Sequence, residues 1–435
     1  MRILLHQNQK KMYKKFIFTG LCCLCLLNNA SAQEPVEKSS VERIEKLEQE
    51  NETQNKVIQK LQKLKVSGYV QAQYQWGQEE ASLKVGTPNE NPEKSFNRIG
   101  IRRGRIKFMY EEGIVSGVFQ LDITEKGVGF KDAFLKIKDP WAGVASLKAG
   151  VFDRPFGYEI SYSSSQRETP ERSTIFQTLF PEERDLGAMV TLQPPGTSSL
   201  HFLKLEAGFF AGNGIKQETD NRKDFIGHLS ANKSLRKIQV GGGISYYNGG
   251  VYQGTENVYT IEEHSFVLNN DMENTGQFAK REYIGFDWQI GIKSIIGLTQ
   301  LRGEYLFGTQ PGKDSGSNSP NASSLPTNDT YIRKFRGGYV IWVQYAGQLP
   351  LAAVLKYDWY DPNTKISGNN IGQNNTGKGD IQQNTVGLGA LWNIYPNLRL
   401  QACYEINKNE KTDNVSAYRD DRKDNVFTLR MQYKF

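Results

Sequence analysis

The last ten residues of the chain, VFTLRMQYKF, constrain its fold more than any other segment. Apolar and polar side chains alternate from Phe427 to Phe435, and successive side chains of a β-strand point to opposite faces. One face of this strand is therefore apolar and the other is polar. Such a strand fits either a barrel with lipid outside and water inside or the half-buried edge of a soluble sandwich. The rest of the chain has to decide between them.

The N-terminus has the organisation of a secretory signal peptide. Five basic residues within the first fifteen precede the apolar stretch 16–27, and Ala30-Ser31-Ala32 offers a small-residue cleavage site. The apolar stretch is shorter than the roughly 20 residues that a transmembrane helix needs. We predict that residues 1–32 are removed on export, whether translation starts at Met1 or at Met12.

Cysteine content and charge exclude several classes of protein. Three of the four cysteines lie in the predicted signal, so Cys403 alone would remain and neither an internal disulfide nor a cysteine-based metal site is expected. Removing the five basic signal residues from the 54 Lys and Arg leaves 49 basic against 47 acidic residues. This balance gives no reason to expect a nucleic-acid partner. No cofactor or metal site is predicted.

Residues 33–64 form a charged segment in which apolar and polar residues recur at alternating spacings of three and four. The recurring positions are Ile44, Leu47, Asn51, Gln54, Ile58 and Leu61. This spacing is that of the a and d positions of a short coiled coil. An unpaired solvated helix or a linker is the alternative, because only about three heptads are present. We predict a periplasmic coiled-coil stalk that joins copies of the chain.

From residue 65 onward, alternation and turn residues predict sixteen strands. They are expected at 65–76, 97–110, 114–123, 130–138, 144–152, 186–193, 200–210, 223–232, 237–247, 282–293, 298–308, 333–345, 351–360, 382–393, 398–408 and 426–435. Short connections alternate with generally longer ones, which is typical of a bacterial outer-membrane barrel with short periplasmic turns and long external loops. We therefore predict an all-β fold, a 16-stranded antiparallel transmembrane β-barrel over residues 65–435 preceded by the helical stalk. A barrel of this size can enclose an aqueous channel.

The C-terminal strand gives the predicted barrel an assembly signal. Its aromatic residues Tyr433 and Phe435 lie on the lipid-facing side at the very end of the chain, and we expect the barrel-assembly machinery to recognise them. Outer-membrane lipid is the other expected partner, and the predicted location is the outer membrane of a Gram-negative bacterium.

Basic residues crowd the second predicted strand and recur on the strands that follow. Counting back from outward-facing Ile106 places its basic residues in the lumen, whereas Ile99 and Ile101 have the opposite parity. This break predicts either a bulge near Gly104 or a position of the two isoleucines above the lipid. The predicted pore-lining residues are Arg102, Arg103, Arg105, Lys107, Lys136 and Lys148. Rings of Arg and Lys favour anions, although Asp122, Asp132 and Asp185 could neutralise part of this charge.

The predicted connection 153–185 is long, and it contains arginine, serine and apolar residues that an exposed loop does not favour. We predict that it folds into the barrel and narrows the pore. The candidate constriction residues are Arg154, Arg167, Arg172 and Arg184.

Three runs of sequence carry a resemblance to a known family. They are GVFDRPFGYEISYSSSQRETPERS from Gly150, FPEERDLG from Phe180 and GFFAGNG from Gly208. With the arginine-rich second strand and terminal Phe435, they make residues 65–435 similar to the phosphate-selective porin O and P family. The resemblance implies a homotrimer, an inward-folded loop after the fifth strand, and an arginine ladder that leads anions to a basic constriction. The chain departs from the family in its stalk and in lacking a compact set of constriction lysines.

These features predict an outer-membrane porin for passive diffusion of small solutes, with a preference for phosphate or related anions. A general diffusion porin, a structural protein tethered through the stalk, and an adhesin are the alternatives. An enzyme is not predicted. Among the histidines beyond the signal, only His228 lies by parity in the lumen, near Ser230 and Asp224, and no catalytic motif accompanies it.

Overall fold

The computed structural model describes residues 34–435, with side chains described from Ser40 onward. The predicted signal peptide, residues 1–32, lies outside the described residues. The chain divides into an N-terminal helical unit and a β-barrel unit that begins at Gln62.

The N-terminal helix, α1, spans Glu34–Gln62 and confirms the helix predicted for residues 33–64. Its predicted seam is solvent-exposed, since Ile44 and Leu61 expose 55% and 62% of their surface. The coiled-coil pairing of this seam stays a prediction. In the described part of the chain, no helix is both long and apolar enough to cross a membrane.

Eighteen strands follow α1. They are β1 Leu64–Gly77, β2 Phe96–Glu112, β3 Val115–Thr124, β4 Gly127–Lys138, β5 Ala145–Asp153, β6 Arg184–Leu192, β7 Leu203–Phe210, β8 Asp224–Leu235, β9 Ile238–Tyr252, β10 Asn257–Glu262, β11 Ser265–Asn270, β12 Phe278–Ser294, β13 Gly297–Gly312, β14 Thr330–Tyr345, β15 Leu351–Asp361, β16 Gln383–Tyr395, β17 Leu398–Asn409 and β18 Val426–Lys434. A second helix, α2, spans Thr174–Leu179, and single 3-10 turns lie at Met272–Asn274, Gly368–Asn370, Lys378–Asp380 and Ser416–Tyr418.

Sixteen of these strands close into an antiparallel barrel. Strand β1 pairs with β2 on one side and with β18 on the other, and β9 pairs directly with β12. Among the described strands, closure leaves the barrel itself without an open sheet edge, as a lipid environment requires. The predicted 16-stranded barrel is confirmed.

The two remaining strands, β10 and β11, form a hairpin within the connection between β9 and β12. Sequence reasoning missed this hairpin. It also made the flanking strands too short, since β9 runs to Tyr252 rather than 247 and β12 starts at Phe278 rather than 282. The hairpin also touches β14 in a short parallel pairing, and Tyr259 stacks on Tyr331 with ring centroids 4.3 Å apart. Its turn contains only Glu263 and His264, so a tight turn within a loop concealed it.

The first strand displays the alternation that the sequence predicts. Gln71, Gln73 and Gln75 are buried inside the barrel, whereas Val70 and Tyr74 are exposed on its outer face. The C-terminal strand follows the same rule, with Thr428, Arg430 and Gln432 inside and Leu429, Met431 and Tyr433 outside. Both strands therefore combine a polar lining with a lipid-facing outer surface.

Two bulges interrupt the alternation on neighbouring strands. Gln71 pairs with Arg103 while the next residue, Ala72, pairs with Ile101, so Arg102 is the extra residue on β2. A second register shift lies on β4, where Lys131 is the extra residue. A bulge lets two successive side chains point to the same side. Of the two explanations predicted for the parity break at Ile101, the bulge is therefore the one observed. It lies at Arg102, two residues before Gly104.

The connections distinguish the two ends of the barrel. At one end they range from two residues, as at 113–114, to ten at 193–202; we call this the turn end. At the other end, the loop end, most connections are long, although β3 and β4 are joined by only residues 125–126.

Candidate functional site

The connection between β5 and β6, residues 154–183, lies inside the barrel, and we call it the constriction loop. Wall side chains hold its backbone from well-separated strands. Gln71 of β1 donates to the carbonyl of Ser164 at 3.0 Å, and the hydroxyl of Ser245 on β9 accepts from the amide of Gly157 at 2.8 Å. A loop held from separate sides of the lumen occupies part of its cross-section.

One side of the constriction loop is apolar. Helix α2 places Ile175, Phe176 and Leu179 on one face, and all three are buried together with Phe156 and Phe180 of the same loop. They pack on inward-facing residues of β9, β12 and β14 that we call the aromatic wall: Tyr247, Tyr283, Phe335 and Tyr339. Burying each such ring contributes roughly 1.5–3 kcal/mol. Aromatic packing therefore fixes this side of the loop.

The opposite side of the loop meets three arginines that we call the arginine wall: Arg102 and Arg103 of β2 and Arg430 of β18. Arg102 grips the carboxylate of Glu171 with two hydrogen bonds, each 2.7 Å long. Arg430 reaches the same carboxylate at 2.9 Å, and Arg103 lies 3.5 Å from it. Burial alone would raise the pKa of Glu171, but these arginines lower that pKa well below the usual carboxyl range.

A second group of charges surrounds Glu183 at the end of the constriction loop. Its carboxylate accepts from Arg172 and from Arg184, the latter at 2.9 Å, and lies 3.1 Å from the ammonium of Lys131. Arg184 also donates to Asp132 at 2.8 Å. Burial opposes ionisation of Glu183, yet the surrounding cations lower its pKa well below the usual range. The β4 bulge contributes to this group by turning both Lys131 and Asp132 inward.

Four predicted lumen residues lie nearer the turn end. Arg105 is buried, pairs with Asp122 at 3.3 Å and lies 5.8 Å from the ring of Tyr69. Lys107 faces the cavity at this end. Lys136 and Lys148 are partners across β4 and β5. The ammonium of Lys148 also lies 4.8 Å from the ring of Phe152.

Arg154 and Arg167, by contrast, lie within the body of the constriction loop, and each exposes 1% of its surface. Arg154 donates to the carbonyls of Pro181 and Glu183 and lies 5.0 Å from the ring of Phe180. Arg167 donates to the carbonyl of Pro170 at 3.3 Å, and burial lowers its pKa to about 10. Both arginines are placed to support the loop rather than to face water.

Two polar cavities flank the constriction loop. The loop-end cavity has the basic residues Lys84, Arg172, Lys408 and Arg422 and the acidic residues Glu80, Glu171, Asp358, Glu405 and Asp424 in its lining. The turn-end cavity has the basic residues Arg105, Lys107, Arg172, Arg184 and Lys434 and the acidic residues Asp132 and Asp153. Charge is thus nearly balanced on the loop side and predominantly basic on the turn side. Arg172 lines both cavities and marks where they approach each other.

Sequence reasoning missed several residues of this site. The alternation of the last strand already placed Arg430 on its polar face, so a signal for it existed. Lys131 was hidden because the β4 bulge reverses the expected parity. Glu171 carries no sequence signal, since its role depends on the path of the loop.

The considered histidine site does not form a triad. His228 lies 2.9 Å from Asp287, while Asp224 pairs with Arg281 and accepts from Tyr247 at 2.6 Å. The histidine is therefore a lumen residue paired with a wall carboxylate.

Comparison with solved structures finds the same barrel architecture. The chain is similar to the anion-selective porin from Comamonas acidovorans, with a TM-score of 0.50, 10% identity and coverage of 86% of this chain and 99% of the other. OmpF of Salmonella typhi, in complex with daunomycin, matches with a TM-score of 0.52, 12% identity and coverage of 86% of this chain and 97% of the other. OmpT of Vibrio cholerae in its trimer form matches with a TM-score of 0.50, 10% identity and coverage of 86% of this chain and 99% of the other. At these identities the likeness shows the fold alone.

Comparison with curated protein sequences finds no match. The model of one protein family, phosphate-selective porin O and P, matches residues 103–435, which is most of the chain. This match and the closed barrel indicate a channel of the bacterial outer membrane rather than an enzyme. The chain belongs to the phosphate-selective porin O and P family.

Proposed function

We propose that the chain forms a water-filled channel through which small anions, phosphate or related oxyanions among them, diffuse passively. The observation that carries this proposal is the lining of the turn-end cavity, where five basic residues face two acidic ones. Basic residues around a narrow aqueous passage attract anions and repel cations. An anion that passes the constriction loop therefore meets a net positive field.

Within this channel, we assign the predicted residues to four roles. Arg105, Lys107, Arg172 and Arg184 line the turn-end cavity and contact the anion, while Arg102 and Arg103 act at the loop. Lys136 and Lys148, on the turn half of β4 and β5, add to the positive field. Arg154 and Arg167 hold the loop in shape, because both are buried and bonded to loop carbonyls.

Two of the similarities found above support anion selectivity independently of the cavity, although each describes other proteins. The matching family is one of phosphate-selective porins, and the Comamonas porin is anion-selective. A general diffusion porin is the second candidate. The observation in its favour is that the loop-end cavity carries five acidic and four basic residues, so its field is nearly neutral.

A planar-bilayer recording tests the proposal. In a salt gradient, the reversal potential of the wild-type channel should indicate anion preference, and added phosphate should reduce the chloride current. Loss of the phosphate effect in Arg105→Gln would place the anion in the turn-end cavity. An unbiased current that phosphate leaves unchanged would reject the proposal in favour of a general diffusion porin.

We also propose a homotrimer. The outer face of β2 to β5 carries exposed apolar residues that a neighbouring barrel can cover: Phe108, Phe119, Leu135 and Leu147. The exposed α1 seam supports a coiled coil of the same copies. Because the chain enters β1 at the turn end and short turns are typically periplasmic, we infer a periplasmic stalk. The OmpT structure in trimer form supports this assembly by analogy. We infer that outer-membrane lipid covers the rest of the outer face and that Tyr433 and Phe435 guide insertion.

Deleting residues 34–62 tests the stalk. The deletion should lower the temperature at which the trimer dissociates on a native gel while leaving the single-channel conductance unchanged. A trimer of unchanged stability would confine the assembly contact to the barrel and reject the stalk's role in it.

A further inference from the structure

Glu171 of the constriction loop lies where three arginines of the barrel wall converge. Both of its carboxylate oxygens are held by Arg102, through Nε and Nη2, in a two-pronged arrangement. Nη2 of Arg430 approaches the first oxygen and Nη2 of Arg103 approaches the second. The carboxylate exposes 8% of its side-chain surface and lines the loop-end cavity.

The arginine wall retains donor capacity beyond Glu171. Nε of Arg103 is buried and makes no hydrogen bond within the described residues. Three cations share one carboxylate, so the group keeps a net positive charge. A buried donor without a partner is costly, and an anion arriving beside Glu171 would give Arg103 one.

The geometry around Glu171 is that of oxyanion recognition. Arginine binds carboxylate and phosphate in the same way, with two parallel N–H···O hydrogen bonds. The loop carboxylate therefore occupies the position that a phosphate oxygen pair would take against Arg102. It also contributes a negative charge that repels an incoming anion at short range.

We propose that Glu171 is a specificity-determining residue that acts as a built-in competitor for the transported oxyanion. By occupying Arg102 it keeps the arginine wall from holding anions too tightly, as a channel requires binding weak enough to permit release. The proposal rests on the anion preference stated above. In this proposal, the carboxylate of Glu171 determines how tightly the channel binds phosphate.

Contacts other than those of Glu171 also hold the constriction loop. Arg399 of β17 donates to the carbonyls of Ser165 and Arg167, at 3.2 and 3.1 Å, and Arg430 donates to the carbonyl of Pro170 at 2.7 Å. The aromatic packing on the other side is also independent of it. A neutral side chain at position 171 is therefore expected to leave the loop inside the barrel.

The test compares Glu171→Gln with the matched control Glu80→Gln. Glu80 lines the same cavity and pairs with Arg422 at 3.4 Å, so its substitution also removes one carboxylate and frees one arginine. Phosphate block of the chloride current is titrated in planar bilayers for both variants and for wild type. Glu171→Gln should lower the phosphate concentration for half-block by about tenfold, the change expected when a charge-assisted competitor is removed. Glu80→Gln should change it by less than about twofold, as for an exposed surface pair.

A third variant, Glu171→Asp, guards against a change in loop structure. Its shorter side chain keeps the charge but weakens the two-pronged contact, so its half-block concentration should fall between wild type and Glu171→Gln. Equal values for Glu171→Gln and Glu80→Gln, or weaker phosphate block in Glu171→Gln at wild-type conductance, would overturn the proposal. If wild type shows no anion preference and Glu171→Gln does, the general proposal of an anion channel fails while the role of Glu171 stands.

Discussion

The aromatic wall and the arginine wall hold the same loop by different means. On the aromatic wall, Phe156 and Phe176 are buried against Tyr283 and Tyr339, with ring centroids 6.3 and 6.2 Å apart. On the arginine wall, charged side chains converge on Glu171, which lines the loop-end cavity. Apolar packing is insensitive to salt and to the passing solute, whereas ion pairs beside water respond to both. We infer that the loop takes its stability from one wall and the channel its selectivity from the other.

Phe176→Ala should have the largest effect of the variants that test this comparison. Phe176 lies at the centre of the aromatic packing with 1% of its surface exposed, so its removal should cost about 3–5 kcal/mol of loop packing. A loosened loop blocks less of the lumen, and the single-channel conductance and its noise should both rise. The control Phe209→Ala removes a lipid-facing ring that is 61% exposed. Equal conductance changes in the two variants would refute the assignment of stability to the aromatic wall.

The sequence predicted one of these walls better than the other. The basic residues of β2 predict the arginine wall, and the parity of Ile99 and Ile101 indicates the bulge in that strand. The aromatic wall was not predicted, because a porin lumen is expected to be polar and Tyr283 or Phe335 then looks like an ordinary strand residue.

The partners of the arginines could not be predicted either. Alternation is a local rule that fixes which face a side chain takes, and it identified all sixteen barrel strands. The pairing of Arg102 with Glu171 spans 69 residues and depends on the path of a long loop. Turn residues define where such a loop begins and ends, but its path follows from packing inside a closed barrel.

Arg105→Gln should lower the preference for anions over cations with little change in single-channel conductance. Arg105 lines the turn-end cavity and pairs with Asp122 on β3, whereas the aromatic wall lies on β9, β12 and β14, so the loop should stay in place. Losing one charge a few ångströms from the path should lower the anion-to-cation permeability ratio roughly twofold to fivefold. Reversal potentials in a salt gradient measure this ratio. The control Lys280→Gln removes an exposed lysine, 62% exposed and paired with Glu282, and should leave the ratio unchanged. A reduced ratio in the control as well would indicate general surface charge rather than a lumen site.

Acid should break the ion pairs of Glu171 and Glu183 before it affects the aromatic wall. The pKa values of Glu171 and Glu183 are lowered in the docked loop. Their ion pairs with the arginines are therefore fully formed above the free-glutamate pKa of about 4.3, and they are lost as pH falls through the lower docked values. The anion-to-cation permeability ratio should be steady from neutral pH to about pH 5 and rise only below about pH 4, as the arginines lose their carboxylate partners. Glu171→Gln, which lacks one of the two carboxylates, should show a smaller acid-induced change. A transition near neutral pH would contradict the assignment to these glutamates.

The smallest expected effect comes from Tyr339→Phe, which removes one hydrogen bond from the aromatic wall and keeps its ring. The hydroxyl of Tyr339 donates to Glu304 at 2.7 Å, and that carboxylate also accepts from the amides of Tyr158 and Glu159. Losing one of three donors should cost about 1 kcal/mol and lower the melting temperature slightly. The anion-to-cation permeability ratio should match wild type, as should that of the lipid-facing control Tyr305→Phe. A changed ratio in Tyr339→Phe alone would show that the aromatic wall also tunes the passing ions, because the two walls then could not be separated into stability and selectivity.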